Sequence, residues 1–400
     1  MLAERFDDPA FYLGDPHATY RRLRAEDPVH WYEEGDFWVL TKWDDIKFVS
    51  THPLLFSSRE IAILSGLVER RKGGRAASPL DDQPSVMFMD PPRHAHYRKV
   101  VSWRFTPKMV NEIDDHVRTV IRDVIEGLPD GGFDLISRVA EPVPVYVFSK
   151  LLGVPDDDWH QVVEWATMIA NQGSGQGTAE DMDVIVNEVG PYLWNLVVQR
   201  RAEPTDDLLS LLTQAEFEGR PLDDGEIIGY GLTLLAAGSE TTQSLIAGLG
   251  HVLTEFPDEA ARFFADPTPA RAGNMVEETL RWWTPVMSMA RKATTDVPMR
   301  DKVIREGDGV LLLYSSANRD EERWDDVDTF DIDRPDASGQ LGFGIGEHFC
   351  MGAHLARREG RIVLEELARR ARGLERVGEG TMRASSLIHT YDEFPVRLVP

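Results

Sequence analysis

The chain is poor in cysteine, in basic charge and in long apolar runs, and each shortage excludes something. One cysteine in 400 residues rules out an intrachain disulfide and suits a reducing compartment, so a cytoplasmic protein is expected. Lys and Arg number 43 against 68 Asp and Glu, a net charge of −25. Nucleic acid needs a basic face, and anionic membrane surfaces repel such a charge, so neither is an expected partner. The longest apolar stretch, Ile227 to Ala237, is too short to span a bilayer and runs into Glu240, Thr241 and Thr242. The start, Met1 to Asp8, lacks the apolar core of a signal peptide, and no membrane anchor is expected. No repeat or low-complexity linker interrupts the chain. The apolar fraction of 42% is ample for a sizeable core.

The single cysteine stands in Phe343-Gly344-Ile345-Gly346-Glu347-His348-Phe349-Cys350-Met351-Gly352. Three glycines make a tight loop in which backbone can approach a bound object closely. The residues that follow, Ala353-His354-Leu355-Ala356-Arg357-Arg358-Glu359, are strongly helical. Cys350 therefore sits at a helix N-terminus, where free N–H groups favour a thiolate that can bind soft iron.

On these residues the chain resembles the cytochrome P450 family, whose haem-binding signature is Phe-Gly-x-Gly-x-His/Arg-x-Cys-x-Gly. Every fixed position is matched. The resemblance implies a mainly α fold with a large helical part and a small β-rich part, in one unit spanning 1–400. It implies haem b (iron protoporphyrin IX) as cofactor, with Cys350 as its proximal thiolate ligand and the only metal ligand from the protein. Phe343, Gly344 and Gly352 shape the loop, and His348 is expected to bond a haem propionate.

Upstream, Val29–Tyr32 and Phe37–Leu40 flank Glu33-Glu34-Gly35-Asp36, a hairpin signal. Arg59 to Gln83 is irregular and charged, a loop over a pocket or plain disorder. Asp90-Pro91-Pro92 starts a helix, with Asp90 as N-cap and Pro91 as first residue. On that helix His94 and Arg98 share a face. They belong to a solvated basic face or, by the resemblance, supply two propionate donors as His-x-x-x-Arg. Residues 111–170 are mostly helical, and Asn171 to Gly177 is a flexible connection, either a lid or an ordinary loop.

Asp223 to Phe256 is the longest helical candidate, of roughly 45–50 Å at 1.5 Å per residue. Gly238, Glu240 and Thr241 form a polar spot in its apolar middle. A core Thr bonded back to a carbonyl would account for part of it. The resemblance assigns more. Ala237 and Gly238 would leave room above the iron, Thr241 would hold water and bond dioxygen, and Glu240 would relay protons. Glu278 and Arg281 match the family's Glu-x-x-Arg, expected to form a buried structural network with Arg334. Arg291 falls where the family places a further propionate donor.

The resemblance therefore implies a monooxygenase that takes O2 and two electrons from a ferredoxin and ferredoxin reductase, acting as a monomer. Arg104, Arg357 and Arg358 are candidate ferredoxin contacts. Leu234, Val286, Met287 and Ile388 are candidate substrate contacts, and Ile61, Ile63, Leu64 and Leu67 lie in the loop expected to close the pocket. His389 is a possible contact or a buried, satisfied histidine. Thr284–Ala290 holds no charged residue, so a largely apolar small molecule of sterol, terpenoid or branched-lipid type is expected. A polyketide-tailoring hydroxylase or epoxidase, a haem-thiolate sensor without turnover and a peroxide-driven enzyme remain as alternatives.

Overall fold

The computed structural model describes residues 4–71, 85–174 and 177–400. Residues 72–83 of the charged loop, and 175 and 176 of the glycine-rich connection, lie outside the described residues. Within that loop, Leu64–Arg71 forms a helix, against the irregular reading.

The fold is mainly α. Its axis is the central helix Asp224–Glu255, about 48 Å long at 1.5 Å per residue. Its start is fixed by a capping box, in which Asp223 and Glu226 each bond the other's backbone N–H. Helices Pro142–Leu152, Trp159–Ser174, Gly190–Ala202, Pro269–Trp282 and Ala353–Arg370 all pack against it. A large apolar cluster joins these helices. Pro142–Leu152 ends where Gly153 adopts φ 97°, a left-handed stop that suits glycine.

The β-rich part is a five-stranded sheet in the order Val29–Tyr32, Phe37–Leu40, Gly309–Leu313, Ser288–Ala293, Phe56–Ser57. The hairpin pairs Val29 with Leu40 and Tyr32 with Phe37. Gly309–Leu313 runs parallel to Phe37–Leu40, and every one of its residues is buried, as a central strand demands. Two smaller apolar clusters lie on this sheet. A second sheet orders Gly373–Arg376, Pro395–Val399 and Phe133–Asp134.

One boundary differs from the sequence reading. The helix carrying His94 and Arg98 runs Arg93–Ser102 and has no side-chain cap. Asp90 is not its N-cap; its carboxylate accepts from Ser57 Oγ (2.5 Å) and Ser58 N (2.8 Å), tying the helix start to the sheet edge. Among the described residues no helix is long and apolar enough to cross a membrane.

Candidate functional site

The Cys350 loop is built on two left-handed glycines, Gly344 (φ 67°) and Gly346 (φ 79°). A Cβ on Gly346 would collide with the Ser50 carbonyl, so only glycine fits that approach. Cys350 N donates to Phe343 O at 2.8 Å, closing the loop, and the helix Ala353–Arg370 follows with Gly352 as N-cap. Burial pushes the Cys350 thiol above its ordinary range, against the pull of the Gly352 and Ala353 amides and the Arg98 and Arg357 charges. A bound metal cation would reverse that balance and hold the thiolate.

The His-x-x-x-Arg helix meets this loop at both of its residues. The rings of His94 and His348 lie 4.2 Å apart, and Arg98 donates to Phe349 O (2.6 Å) and Glu347 O (3.4 Å). Arg291, on the strand Ser288–Ala293, is buried, and among the described residues its side chain bonds only Ala290 O, at 2.7 Å. Both ring nitrogens of His94 and Nε2 of His348 are buried without a partner among the described residues. Burial lowers His94 and Arg291, and pushes His348 down to about 3, helped by Arg291, His94 and Arg98. Four cationic or donor side chains thus converge, and among the described residues no carboxylate is bonded to any of them. Buried donors in this state require an anion, and two carboxylates of a haem match the set. Cys350, His94, Arg98, Arg291 and His348 are the residues that could hold that cofactor.

Behind the loop lies a closed network. Arg281, 0% exposed, donates to Glu278 at 2.8 and 2.7 Å and to the carbonyls of Asn318, Val327 and Thr329 at 2.9–3.0 Å. Arg334 Nε reaches Glu278 Oε1 at 2.9 Å, and its other nitrogens bond Asp325, Asp326 and Thr329 carbonyls. Asn318 carries the network to the loop, since its Oδ1 accepts from Leu341 N at 2.7 Å. Glu278, Arg281 and Arg334, expected to meet, are thus brought together and linked to the cysteine loop.

In the middle of the central helix Ala237 is exposed, and Gly238 and Thr241 are half-buried, between turns that are otherwise buried. Thr241 Oγ1 donates to Ala237 O at 2.7 Å. Its proton is committed there, while its lone pairs stay free to accept. A Cβ on Gly238 would meet the Phe148 ring at 3.1 Å, so this glycine makes room for a neighbouring helix, and Ala237 is the residue that borders open space. Glu240 Oε1 accepts from Arg383 Nη1 at 2.9 Å, and Arg383 Nε donates to Asp392 at 2.6 Å. Burial raises the Glu240 carboxyl above its ordinary value, and Arg383 draws it back. Arg383 and Asp392 had no local signal in the sequence, because Arg383 reaches Glu240 from 143 residues away and Asp392 acts through Arg383.

Of the substrate candidates, Val286 and Ile388 are brought together as an antiparallel bridge pair. Leu234 is buried in the large helical cluster. Met287 packs with Ile61, Leu64 and Leu67 into a sheet-side core cluster, the destination that strand alternation gives half of these side chains. His389 is satisfied: its Nδ1 lies 2.7 Å from Trp283 O and its ring stacks on Trp283 at 3.8 Å. The three candidate ferredoxin contacts are occupied by partners within the chain, Arg104 by Asp206, Arg357 by Glu277 and Arg358 by Asp114. Lys99 and Lys108 are exposed nearby and make no ion pair among the described residues.

The family model for cytochrome P450 matches residues 273–372. The methyl-branched lipid omega-hydroxylase of Mycobacterium bovis is 34% identical over 395 residues, covering 94% of this chain and 90% of that one. A cytochrome P450 structure from Bacillus megaterium in complex with corticosterone is 30% identical, with a TM-score of 0.82 over 96% of this chain and 98% of its own. A mutant of P450 EryK in complex with erythromycin B is 31% identical, with a TM-score of 0.83 over 96% of each chain.

Proposed function

The chain belongs to the cytochrome P450 family of haem-thiolate monooxygenases, and from that premise we propose that it hydroxylates a largely apolar sterol, terpenoid or branched lipid. The observation that carries the substrate class is the pairing of Val286 with Ile388. Both residues come from segments without charge, Thr284–Ala290 and Ser385–Thr390, so an ionised substrate would find no partner there. Burial of apolar area, at about 25 cal/mol per Å², would supply most of the affinity. The branched lipid and the corticosterone of the two relatives fit this reading; the erythromycin of the third is the competing class.

Haem held by Cys350, His94, Arg98, Arg291 and His348 would supply dioxygen binding and one-electron chemistry. The chain's own part is to hold and move protons. Burial biases Glu240 toward the protonated acid and Arg383 biases it toward the carboxylate, so the group can both take up and release a proton. Thr241, with free lone pairs, positions water between Glu240 and the open space that Ala237 borders. We place the ferredoxin that delivers two electrons on the cysteine face, at Lys99 and Lys108 rather than at the three paired arginines.

Two spectra test this. Reduced protein under CO should show the red-shifted Soret band of thiolate ligation, and Cys350→Ser should lose it. Titration of the haem spectrum with sterols, terpenoids and uncharged branched-chain alcohols or hydrocarbons should give the tight shifts. If only a macrolide or an anionic acid shifts the spectrum at low concentration, the apolar assignment is wrong.

A further inference from the structure

Beside Glu240 lies a small cavity of about 10 Å³, bordered by Glu141, Thr167, Ser239, Gln243 and Arg383 as well. That volume suits one water molecule. Gln243 borders it while only 7% exposed, and its amide makes no hydrogen bond to any described residue. A buried amide with donors and acceptor unused is costly unless water satisfies it. Across the cavity Glu141 is half-buried, at the point where a π turn, Ile136–Ala140, meets the helix Pro142–Leu152. Its Oε1 accepts from Thr167 Oγ1 at 3.2 Å. Arg383 occupies Glu240 Oε1, and no described residue bonds Glu240 Oε2.

We propose that a water in this cavity, held by the Gln243 amide, passes protons from Glu141 to Glu240. The inference rests on the reading that Glu240 delivers protons at the haem, and adds where Glu240 is refilled. Glu141 takes a proton from solvent and gives it to the water as the water releases one of its own to Glu240 Oε2. Glu141 returns to carboxylate, Glu240 becomes the neutral acid and the water is unchanged. Gln243 keeps its protons throughout and is a positioning residue. The charged groups facing Glu240 are Arg383, Asp392 behind it and Glu141 across the cavity. Burial, which favours the neutral acid at Glu240, acts in the direction the transfer requires.

A crystal structure of the haem-loaded protein should show an ordered water within hydrogen-bond distance of the Gln243 amide, absent in Gln243→Leu. In both Gln243→Leu and Glu141→Gln, product per reductant should fall by about tenfold with unchanged substrate affinity. The solvent isotope effect on product formation should rise. Glu141→Asp should restore coupling, which a folding defect at this site would not allow. An empty cavity in the wild-type crystals overturns the proposal. So does full coupling in both variants while Glu240→Gln uncouples, a result that leaves the role of Glu240 standing. Full coupling in Glu240→Gln removes that role and the proposal with it.

Discussion

Two sets of buried charge flank the cysteine loop, and they are built in opposite ways. Around Glu278, every guanidinium nitrogen of Arg281 and Arg334 has a carboxylate or carbonyl partner. Around His94 and His348, three ring nitrogens are buried without a partner among the described residues, and Arg291 has one carbonyl. The closed set costs the fold little once made, since its desolvation is offset within the chain. The open set is a standing cost that a ligand must relieve. One region specifies the loop, and the other specifies what sits against it.

The largest expected effect comes from opening the closed set. Glu278→Ala would leave two buried guanidinium groups without their carboxylate. Equilibrium urea unfolding should show a loss of about 3–5 kcal/mol, or no folded protein at all. A loss under 1 kcal/mol would show that the carbonyls alone satisfy Arg281 and Arg334.

The same operation on the open set should have the opposite sign. Arg291→Leu removes a buried cation that lacks an anion, so haem-free protein should gain about 1–3 kcal/mol. The same variant should bind haem more weakly, because a propionate loses a donor. Stability of the haem-free form and haem titration together check the pair of signs. A loss in both would place Arg291 with the structural set.

A smaller contrast runs through the central helix. Glu240 is anchored by Arg383, whereas among the described residues the Thr241 hydroxyl bonds only within its own helix. Thr241→Ala should therefore leave folding and substrate affinity unchanged. Product per reductant should fall by roughly tenfold and peroxide should rise. A weakened substrate complex with intact coupling would give Thr241 a binding role instead.

The long helix, the hairpin and the cysteine loop were legible because local rules act on neighbours in sequence. Asp223 and Glu226 cap the helix across three residues, and Gly344 and Gly346 bend the loop within ten. The His94 and Arg98 spacing likewise showed a shared face. What stayed hidden depends on distant partners. Asp90 reads as a cap, yet Ser57 and Ser58 claim its carboxylate. Arg104, Arg357 and Arg358 read as candidate ferredoxin contacts, and the fold pairs them with Asp206, Glu277 and Asp114. Gly238 reads as space for a ligand, yet the ring of Phe148, 90 residues earlier, fills the side where its Cβ would stand.

The smallest expected effect tests a residue that belongs to neither set. Glu359 lies on the helix after Cys350, is buried, and its Oε2 has no partner among the described residues. Burial alone pushes its carboxyl from 4.5 up to about 8, so at neutral pH it is an uncharged acid in the fold. In the unfolded chain it ionises near the ordinary value. Between about 4.5 and about 8 the folded state therefore holds more protons than the unfolded state, and stability falls as pH rises. Below that window the group contributes no penalty, and above it the penalty is constant. Glu359→Gln keeps the shape and removes the titration. The variant should be more stable than the wild type at pH 8, and the gap should close toward pH 4.5. Urea midpoints at several pH values give both slopes. A wild-type slope that Glu359→Gln leaves unchanged would mean that Glu359 is ionised in the fold and paired through water, which would move it to the closed set.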